Sequence, residues 1–185
     1  MMNKRPNGFT LIELLVVVTI IALLAGLSFP AVNEALNAAR RAEASAMCSQ
    51  VRIALSAYLE EYGAWDATLF GAAGSAPTQI DSTTTGRLTE MLIGDPAADP
   101  INPRRRTFME FSDKALVTPG TPSAGFQDPW GNPYFIVVDT DYDNRITSGQ
   151  GPSSVSTDIV SSIIVWSEGQ DTSDGFTVAR DPKSW

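Results

Sequence analysis

The chain has 185 residues, 43% of them hydrophobic, and a formal net charge of −8. This length suits one domain plus a membrane segment, and the acidic balance argues against nucleic-acid binding, which needs clustered Lys and Arg. There is no histidine and one cysteine, Cys48, so the usual general base and zinc ligand are absent and no intramolecular disulfide can form. Composition therefore disfavours most hydrolase mechanisms. Cys48 lies within a predicted helix, where a packing role is expected.

An apolar segment covers residues 9–30. Between Phe9 and Phe29 the only charged residue is Glu13, and residues 1–8 carry two basic residues and no acid. About 20 apolar residues span a bilayer core, so this segment predicts a membrane-spanning helix. A lone carboxylate at that depth is costly and needs a partner. A secretory signal peptide fits poorly because no small-residue cleavage site ends the run, and a plain signal anchor leaves Glu13 unexplained.

The helix is predicted to continue beyond the apolar segment. Residues 31–63 contain good helix formers, and their apolar residues recur mostly every three or four positions, which predicts one packing stripe. The stripe comprises Val32, Leu36, Ala39, Met47, Val51, Leu55, Tyr58, Leu59 and Tyr62. Gly63 is the expected C-cap, so the helix over residues 9–62 would be about 80 Å long. Gly26 and Pro30 weaken the junction between its two halves.

The N-terminal sequence resembles a known processing signal. The segment GFTLIELLVVVTII at 8–21, after the basic stretch MMNKRPN, is similar to the class III signal of type IV pilin-like proteins. The resemblance implies that a prepilin peptidase removes residues 1–8 by cutting after Gly8, and that Phe9 is then N-methylated. It implies that Glu13 pairs with the terminal amine of a neighbouring subunit during assembly. It also implies that the helix can melt near Pro30 in a filament.

Two further regions follow the helix. Residues 64–127 are poorly periodic and predict a connecting region, with a short helix in RLTEMLIGD (87–95) and an exposed connection in PAADPINPRRR (96–106). Residues 128–185 contain two β-rich runs, at 132–140 and 161–169, and weaker candidates at 145–149 and 176–179. Together these predict an α+β fold, in which the long helix lies across an antiparallel sheet of three or four short strands.

The motif DPWGNPY at 128–134 opens the second of these regions. Pro129 and Pro133 fix two backbone angles, Gly131 tolerates left-handed geometry, and Trp130 supplies a large apolar anchor. These features predict a structural turn without chemistry of its own. The motif closely resembles the signature of the major pseudopilin of type II secretion systems.

The C-terminal segment WSEGQDTSDGFTVARDPKSW at 166–185 resembles the calcium-binding closing loop of major pseudopilins, and we call its residues 167–181 the C-terminal loop. The matching residues are Ser167, Gly169 and Asp171, with Asp181 four positions before Trp185. The resemblance implies calcium held by carboxylates and backbone carbonyls, and oxygen ligands suit such a hard cation. Thr172 stands where the family has glycine and the loop is one residue shorter, which makes Asp174 a candidate replacement ligand. The alternative is a solvated acidic loop.

A second acidic pattern is DTDYDNRIT at 139–147. Asp139, Asp141 and Asp143 alternate as at the start of an EF-hand loop, but Asn144 replaces the required glycine and Gln150 replaces the closing glutamate. A full EF-hand is therefore not expected. A looser calcium site and a polar hairpin turn both remain open.

The resemblances together imply a structural subunit of a periplasmic pseudopilus that drives export by a type II secretion system, and not an enzyme. The implied protein is a single-pass inner-membrane protein with a periplasmic C-terminal domain. Its implied partners are further copies of itself, other pseudopilins, the inner-membrane assembly platform and a prepilin peptidase. One alternative is a type IV pilin or minor pseudopilin for motility, uptake or fibre initiation. A membrane-anchored enzyme or binding module is a distant alternative, because no nucleophile–base pair or phosphate loop is present.

Overall fold

The computed structural model describes residues 9–71, 80, 84–98, 100–147, 151–152, 155–170 and 181–185, with the backbone alone at 27–31. The chain divides into two compact units, residues 1–39 and 40–185, and each is described by itself. Helix α1 (Leu11–Tyr62) contributes to both. It begins two residues later than predicted and is helical through Gly26 and Pro30. It ends as predicted, because Gly63 has a φ of +75° and donates its N–H to the Leu59 carbonyl at 2.7 Å.

The first unit presents apolar side chains to its surroundings. From Phe9 to Leu24, the large apolar side chains are between 45% and 83% exposed. Within the described residues, no helix combines the length and the apolar character needed to cross a membrane. In this unit Val32 and Leu36 are also more than half exposed. The N-terminal end of the predicted apolar packing stripe is therefore exposed in the single chain.

The second unit contains the hydrophobic core. Here α1 buries residues spaced by three and four positions, which is the spacing of one helical face. They are Ala44, Cys48, Val51, Leu55 and Tyr58. Two short helices, α2 (Ala67–Phe70) and α3 (Thr85–Ile93), add Phe70, Leu88, Met91 and Leu92 to the same core. The helix predicted within 87–95 is thus confirmed, with an earlier start.

A small antiparallel sheet packs on this face of α1. Strands β1 (Tyr134–Val138) and β2 (Ile163–Ser167) pair so that Ile136 lies opposite Val165. One sheet face joins the core with α1, and the other packs on a smaller cluster that includes Ile146 and Ile159. Coverage on both faces explains why the strand sequences are apolar throughout β1 and from Ile163 to Trp166 in β2. A long N-terminal helix packed on a small antiparallel sheet confirms the predicted α+β pilin-like fold.

Within the described residues the sheet has two strands, where the sequence predicted three or four. Residues 145–147 form a single bridge between Ile146 and Ile159 instead of a strand, because only Ile146 is buried while Arg145 and Thr147 are exposed. Single bridges also join Ile80 to β1 and Lys183 to β2. The candidate strand at 176–179 lies outside the described residues.

The connection at 96–106 is less exposed than predicted. It begins with a 3₁₀ helix at Pro96–Ala98, and Ala98, Ile101 and Asn102 are at most 2% exposed. The apolar residues of this segment contribute to the core, while Arg104, Arg105 and Arg106 remain exposed at its end. A second 3₁₀ helix, Pro122–Ala124, lies later in the connecting region.

Candidate functional site

Of the predicted processing and assembly residues, Glu13 lies in the first turn of α1 and Phe9 just precedes the helix. Gly8 lies outside the described residues, and Phe9 is 77% exposed. Glu13 Oε2 accepts hydrogen bonds from the Thr10 N–H at 2.9 Å and the Thr10 hydroxyl at 2.7 Å. In return, the Glu13 N–H donates to the Thr10 hydroxyl oxygen at 3.3 Å. This reciprocal arrangement is a capping box, in which the carboxylate accepts the Thr10 N–H and the hydroxyl accepts the Glu13 N–H, because neither N–H has a backbone partner within the helix.

The capping box was not anticipated from the sequence, although its signal is present. A threonine followed three residues later by a glutamate, ahead of an apolar run, marks a helix start. Thr10 and Glu13 have this spacing. Glu13 therefore has a local structural role before any contact with another molecule.

The DPWGN turn, residues 128–132, is organised by a buried carboxylate. Asp128 is 3% exposed, and its Oδ1 accepts the N–H groups of Trp130 at 2.9 Å and Asn132 at 2.7 Å. Its Oδ2 accepts the Ser167 hydroxyl at 2.5 Å. Burial raises the pKa of Asp128, whereas the hydrogen bonds from Ser167 and the turn act to lower it. The aspartate therefore ties the start of β1 to the end of β2, a role that the turn motif alone did not reveal.

The described part of the C-terminal loop meets this turn. The Ser167 hydroxyl also accepts the Gly169 N–H at 3.0 Å, and the Asn132 amide donates to the Gly169 carbonyl at 2.6 Å. Asp181 is 7% exposed. Its carboxylate packs against Gly169, because a Cβ added to that glycine would lie 3.2 Å from the Asp181 Oδ1. Burial, and secondarily Asp181, raises the pKa of Glu168. The predicted residues Ser167 and Asp181 are thus brought close to the same glycine.

The remaining ligands predicted for this loop, Asp171 and Asp174, lie outside the described residues. The Ser167 hydroxyl is already engaged by Asp128 and Gly169, so the carboxylates are the side chains that suit a cation here.

The aspartate turn, residues 139–144, is also organised by one carboxylate. Asp139 is 2% exposed, and its Oδ1 accepts the N–H groups of Asp141 at 3.1 Å and Tyr142 at 2.7 Å. Its Oδ2 accepts the Asn144 N–H at 2.7 Å. The backbone of Asp139 is held as well, because its carbonyl accepts the Trp65 indole N–H at 2.7 Å.

The three aspartates of this turn converge. Carboxylate oxygens of Asp139, Asp141 and Asp143 all lie within 4.8 Å of one another, with the last two side chains exposed. The pKa of Asp141 is raised, first by its hydrogen bond with Asp139, then by desolvation and by the charge of Asp143. Three convergent carboxylates suit a hard cation, although both Asp139 oxygens already accept backbone N–H groups. The geometry fits both alternatives left open by the sequence, the polar turn and the looser calcium site.

Comparisons with known proteins find a family motif in this chain and several similar proteins. The prokaryotic N-terminal methylation motif matches residues 3–29. The chain is 36% identical to the fimbrial protein EcpC of Eikenella corrodens over 93 residues, which are 50% of this chain and 57% of that protein. It is 35% identical to the type IV major pilin protein PilE of Neisseria gonorrhoeae over 77 residues, 40% of this chain and 46% of that protein. No solved structure matches.

The chain spans about half the length of the curated relatives it matches. These relatives are pilins and fimbrial proteins, which fits a structural subunit and not an enzyme. The methylation motif and the similarity to these proteins together support the type IV pilin-like family for this chain.

Proposed function

We propose that the chain is a structural subunit that is processed by a prepilin peptidase and assembles with copies of itself into a fibre. The observation that carries this proposal is the methylation motif at 3–29 joined to an exposed apolar helix. Large contiguous apolar surfaces are stable when lipid or protein covers them. In the membrane, residues 9–30 would anchor the chain by a single pass with the C-terminal domain in the periplasm. In the fibre, the same surface would pack against other subunits.

Within this class we propose a pseudopilus subunit of a type II secretion system. The DPWGNPY motif and the acidic C-terminal loop support this assignment, and its partners would be other pseudopilins and the inner-membrane assembly platform. A type IV pilin, or a minor pseudopilin, is the second candidate, favoured by the names of the relatives. Deletion of the gene separates the two. Loss of exported proteins with surface pili intact supports the secretion role, and loss of pili with secretion intact supports the alternative.

The processing step gives a direct test of the fibre-subunit proposal. Mass spectrometry of the full chain extracted from membranes should find an N-terminus at methylated Phe9. A Gly8→Leu variant should retain residues 1–8, because the peptidase would no longer find its glycine. An unsubstituted chain that still begins at Met1 or Met2 would overturn the proposal.

Glu13 is proposed to pair with the terminal amine of a neighbouring subunit, which would offset the cost of a carboxylate in an apolar environment. Glu13→Ala should leave membrane insertion unchanged and reduce the yield of fibres by at least about tenfold. Glu34→Ala is the matched control, because Glu34 is an exposed acid on the same helix. Equal fibre yields from the two variants would count against the pairing.

Calcium is proposed as a structural ligand of the C-terminal loop, held by Asp171, Asp174 and Asp181. The buried position of Asp181 and the raised pKa of Glu168 support it, since acids crowded without a cation repel one another. Ligand binding stabilises the folded state by about 2.7 kcal/mol at a hundredfold excess over the dissociation constant. Millimolar calcium should therefore raise the melting temperature of the purified full chain in detergent.

Two variants locate the calcium site. Asp171→Ala should remove most of the gain in melting temperature if the C-terminal loop binds the ion, whereas Asp113→Ala, at an exposed acid outside both acidic segments, should not. A gain retained in Asp171→Ala but lost in Asp141→Ala would move the site to the aspartate turn. A melting temperature that calcium leaves unchanged in the unsubstituted chain would overturn the proposal.

A further inference from the structure

The described residues with positive φ that are not glycine occur in only two loops. Arg105 has a φ of 49°, Tyr142 of 62° and Asn144 of 59°. Non-glycine residues pay a conformational cost in this region, so the surrounding structure must hold them there. Arg105 lies in the arginine loop, residues 104–106, and the other two lie in the aspartate turn. The two loops carry opposite charge.

The arginine loop is held rigidly against the last turn of α1. Arg104 and Arg106 both pair with Glu61, at 2.6 and 3.2 Å, and the Arg104 guanidinium lies 5.7 Å from the centre of the Tyr62 ring. Beneath them the buried Asn102 side chain accepts the Tyr62 hydroxyl at 2.6 Å and the Arg106 N–H at 3.0 Å. Its amide donates to the Arg106 carbonyl at 2.8 Å. These contacts fix the backbone on both sides of Arg105.

Arg105 itself is presented to solvent. Its side chain is exposed, and the described residues offer it no ion pair or hydrogen bond. The Arg105 carbonyl packs closely on Gly94, because a Cβ added to this glycine would lie 2.8 Å from the Arg105 carbonyl oxygen. Arg104 and Arg106 share one glutamate and Arg105 pairs with none of the described acids, so the loop and Glu61 together carry a net charge of 3 − 1 = +2 on a chain whose formal charge is −8. An exposed cation on a rigid loop fits an acidic partner.

The acidic counterpart is available on the chain itself. The aspartate turn holds three aspartates and no basic residue between positions 139 and 144, and Asp141 and Asp143 are exposed. It is anchored beside the same end of α1, because Trp65 donates its backbone N–H to the Tyr142 hydroxyl at 3.1 Å. The aromatic rings of Tyr58, Tyr62 and Trp65 connect the two anchoring points. Both loops are therefore preorganised, which lowers the ordering cost of an intermolecular contact.

We propose that the arginine loop of one copy docks on the aspartate turn of a second copy, with Arg105 facing Asp143. The contact is heterologous, so it can repeat from copy to copy along a fibre. This inference rests on the proposed fibre-subunit function and adds a specific surface to it. Because both groups are exposed, the contact depends on ionic strength, and its charge complementarity fixes the register between copies.

The test uses two full-length single variants, Arg105→Cys and Asp143→Cys, carried on differently tagged copies and expressed together. Oxidation of membranes and fibres should join the two tags in one disulfide-linked dimer. Native Cys48 does not compete, because it is fully buried in the core. Arg87→Cys with Asp143→Cys is the matched control, since Arg87 is an exposed arginine on α3. We expect at least about tenfold more mixed dimer from the first pair than from the control.

A charge exchange completes the test. Arg105→Glu and Asp143→Arg should each raise the concentration needed for assembly by about tenfold, equivalent to about 1.4 kcal/mol, while the two changes together restore it. Arg87→Glu should leave it unchanged. If the unsubstituted chain forms fibres but the mixed dimer does not exceed the control, the loop contact is overturned and the fibre-subunit proposal stands. If the unsubstituted chain forms no fibres, both are overturned.

Discussion

The two turns that flank β1 use the same device in different surroundings. In the DPWGN turn Asp128 accepts two backbone N–H groups, and in the aspartate turn Asp139 accepts three. In each turn the carboxylate accepts backbone N–H groups in place of a backbone carbonyl, and these hydrogen bonds fix the conformation of the turn. The first turn is closed by Ser167 from β2, whereas the second presents Asp141 and Asp143 to solvent.

The difference shows that the turn conformation alone does not determine whether its carboxylates can bind a ligand. Asp128 has a donor from a distant strand on its second oxygen and is sealed from water, so its role is structural. The aspartate turn keeps two further carboxylates outside the backbone network. Asp141 and Asp143 are exposed, so a cation or a charged partner can reach them. Three measurements test this distinction.

The largest expected effect is at the closed turn. Asp128→Ala leaves the N–H groups of Trp130 and Asn132 and the Ser167 hydroxyl without their acceptor inside the protein. Because buried unsatisfied donors each cost about 1–3 kcal/mol, we expect the free energy of unfolding to fall by about 3 kcal/mol. Urea denaturation of the full chain in detergent, followed by tryptophan fluorescence, measures the loss.

Two companion variants sharpen the result. Asp128→Asn keeps one oxygen acceptor in a side chain of equal size and should lose less stability than Asp128→Ala. Combining Asp128→Ala with Ser167→Ala should cost less than the sum of the two, with a coupling of about 1 kcal/mol. Strict additivity would mean that the bond between Asp128 and Ser167 contributes little to closing the turn.

A smaller effect is expected at the open turn. Asp139→Ala removes the acceptor for three N–H groups, but the residues that carry them, Asp141, Tyr142 and Asn144, are exposed, so water can replace part of the loss. Without calcium, the free energy of unfolding should fall by about 1–2 kcal/mol. The same denaturation experiment in the presence of a chelator measures it. A loss as large as that of Asp128→Ala would show that the two turns do not differ in the way described.

The smallest effect concerns the titration of Asp141. NMR titration should find its pKa above the ordinary aspartate range, and Asp143→Asn should lower that pKa by removing a neighbouring charge. The folded state then holds this proton more tightly than the unfolded state. Above the folded-state pKa of Asp141, repulsion between ionised carboxylates in the turn therefore lowers the free energy of unfolding. This loss of stability disappears as the pH falls through that pKa and Asp141 becomes protonated. Asp113→Asn is the control and should leave the pKa of Asp141 unchanged.

Local pattern and composition were enough to predict several elements. The apolar spacing along α1 and the glycine at position 63 predicted the end of the helix, and two β-branched runs predicted β1 and β2. The alternation of Asp139, Asp141 and Asp143 predicted acids that the structure brings together. These signals succeed because helix, strand and turn preferences depend on residues within a few positions of one another.

Contacts between distant segments were decided only by the tertiary structure. Asp128 meets Ser167 across 39 positions, and Arg104 meets Glu61 across 43, and neither pairing has a local signal. The single bridge at residues 145–147 also depends on a distant segment. Only Ile146 is buried there, and its partners in the bridge and in the cluster include Ile159. Sequence determined which residues are apolar, charged or turn-forming. Packing decided which carboxylates are sealed by a partner and which remain at the surface, because desolvation depends on the elements that surround a group in space.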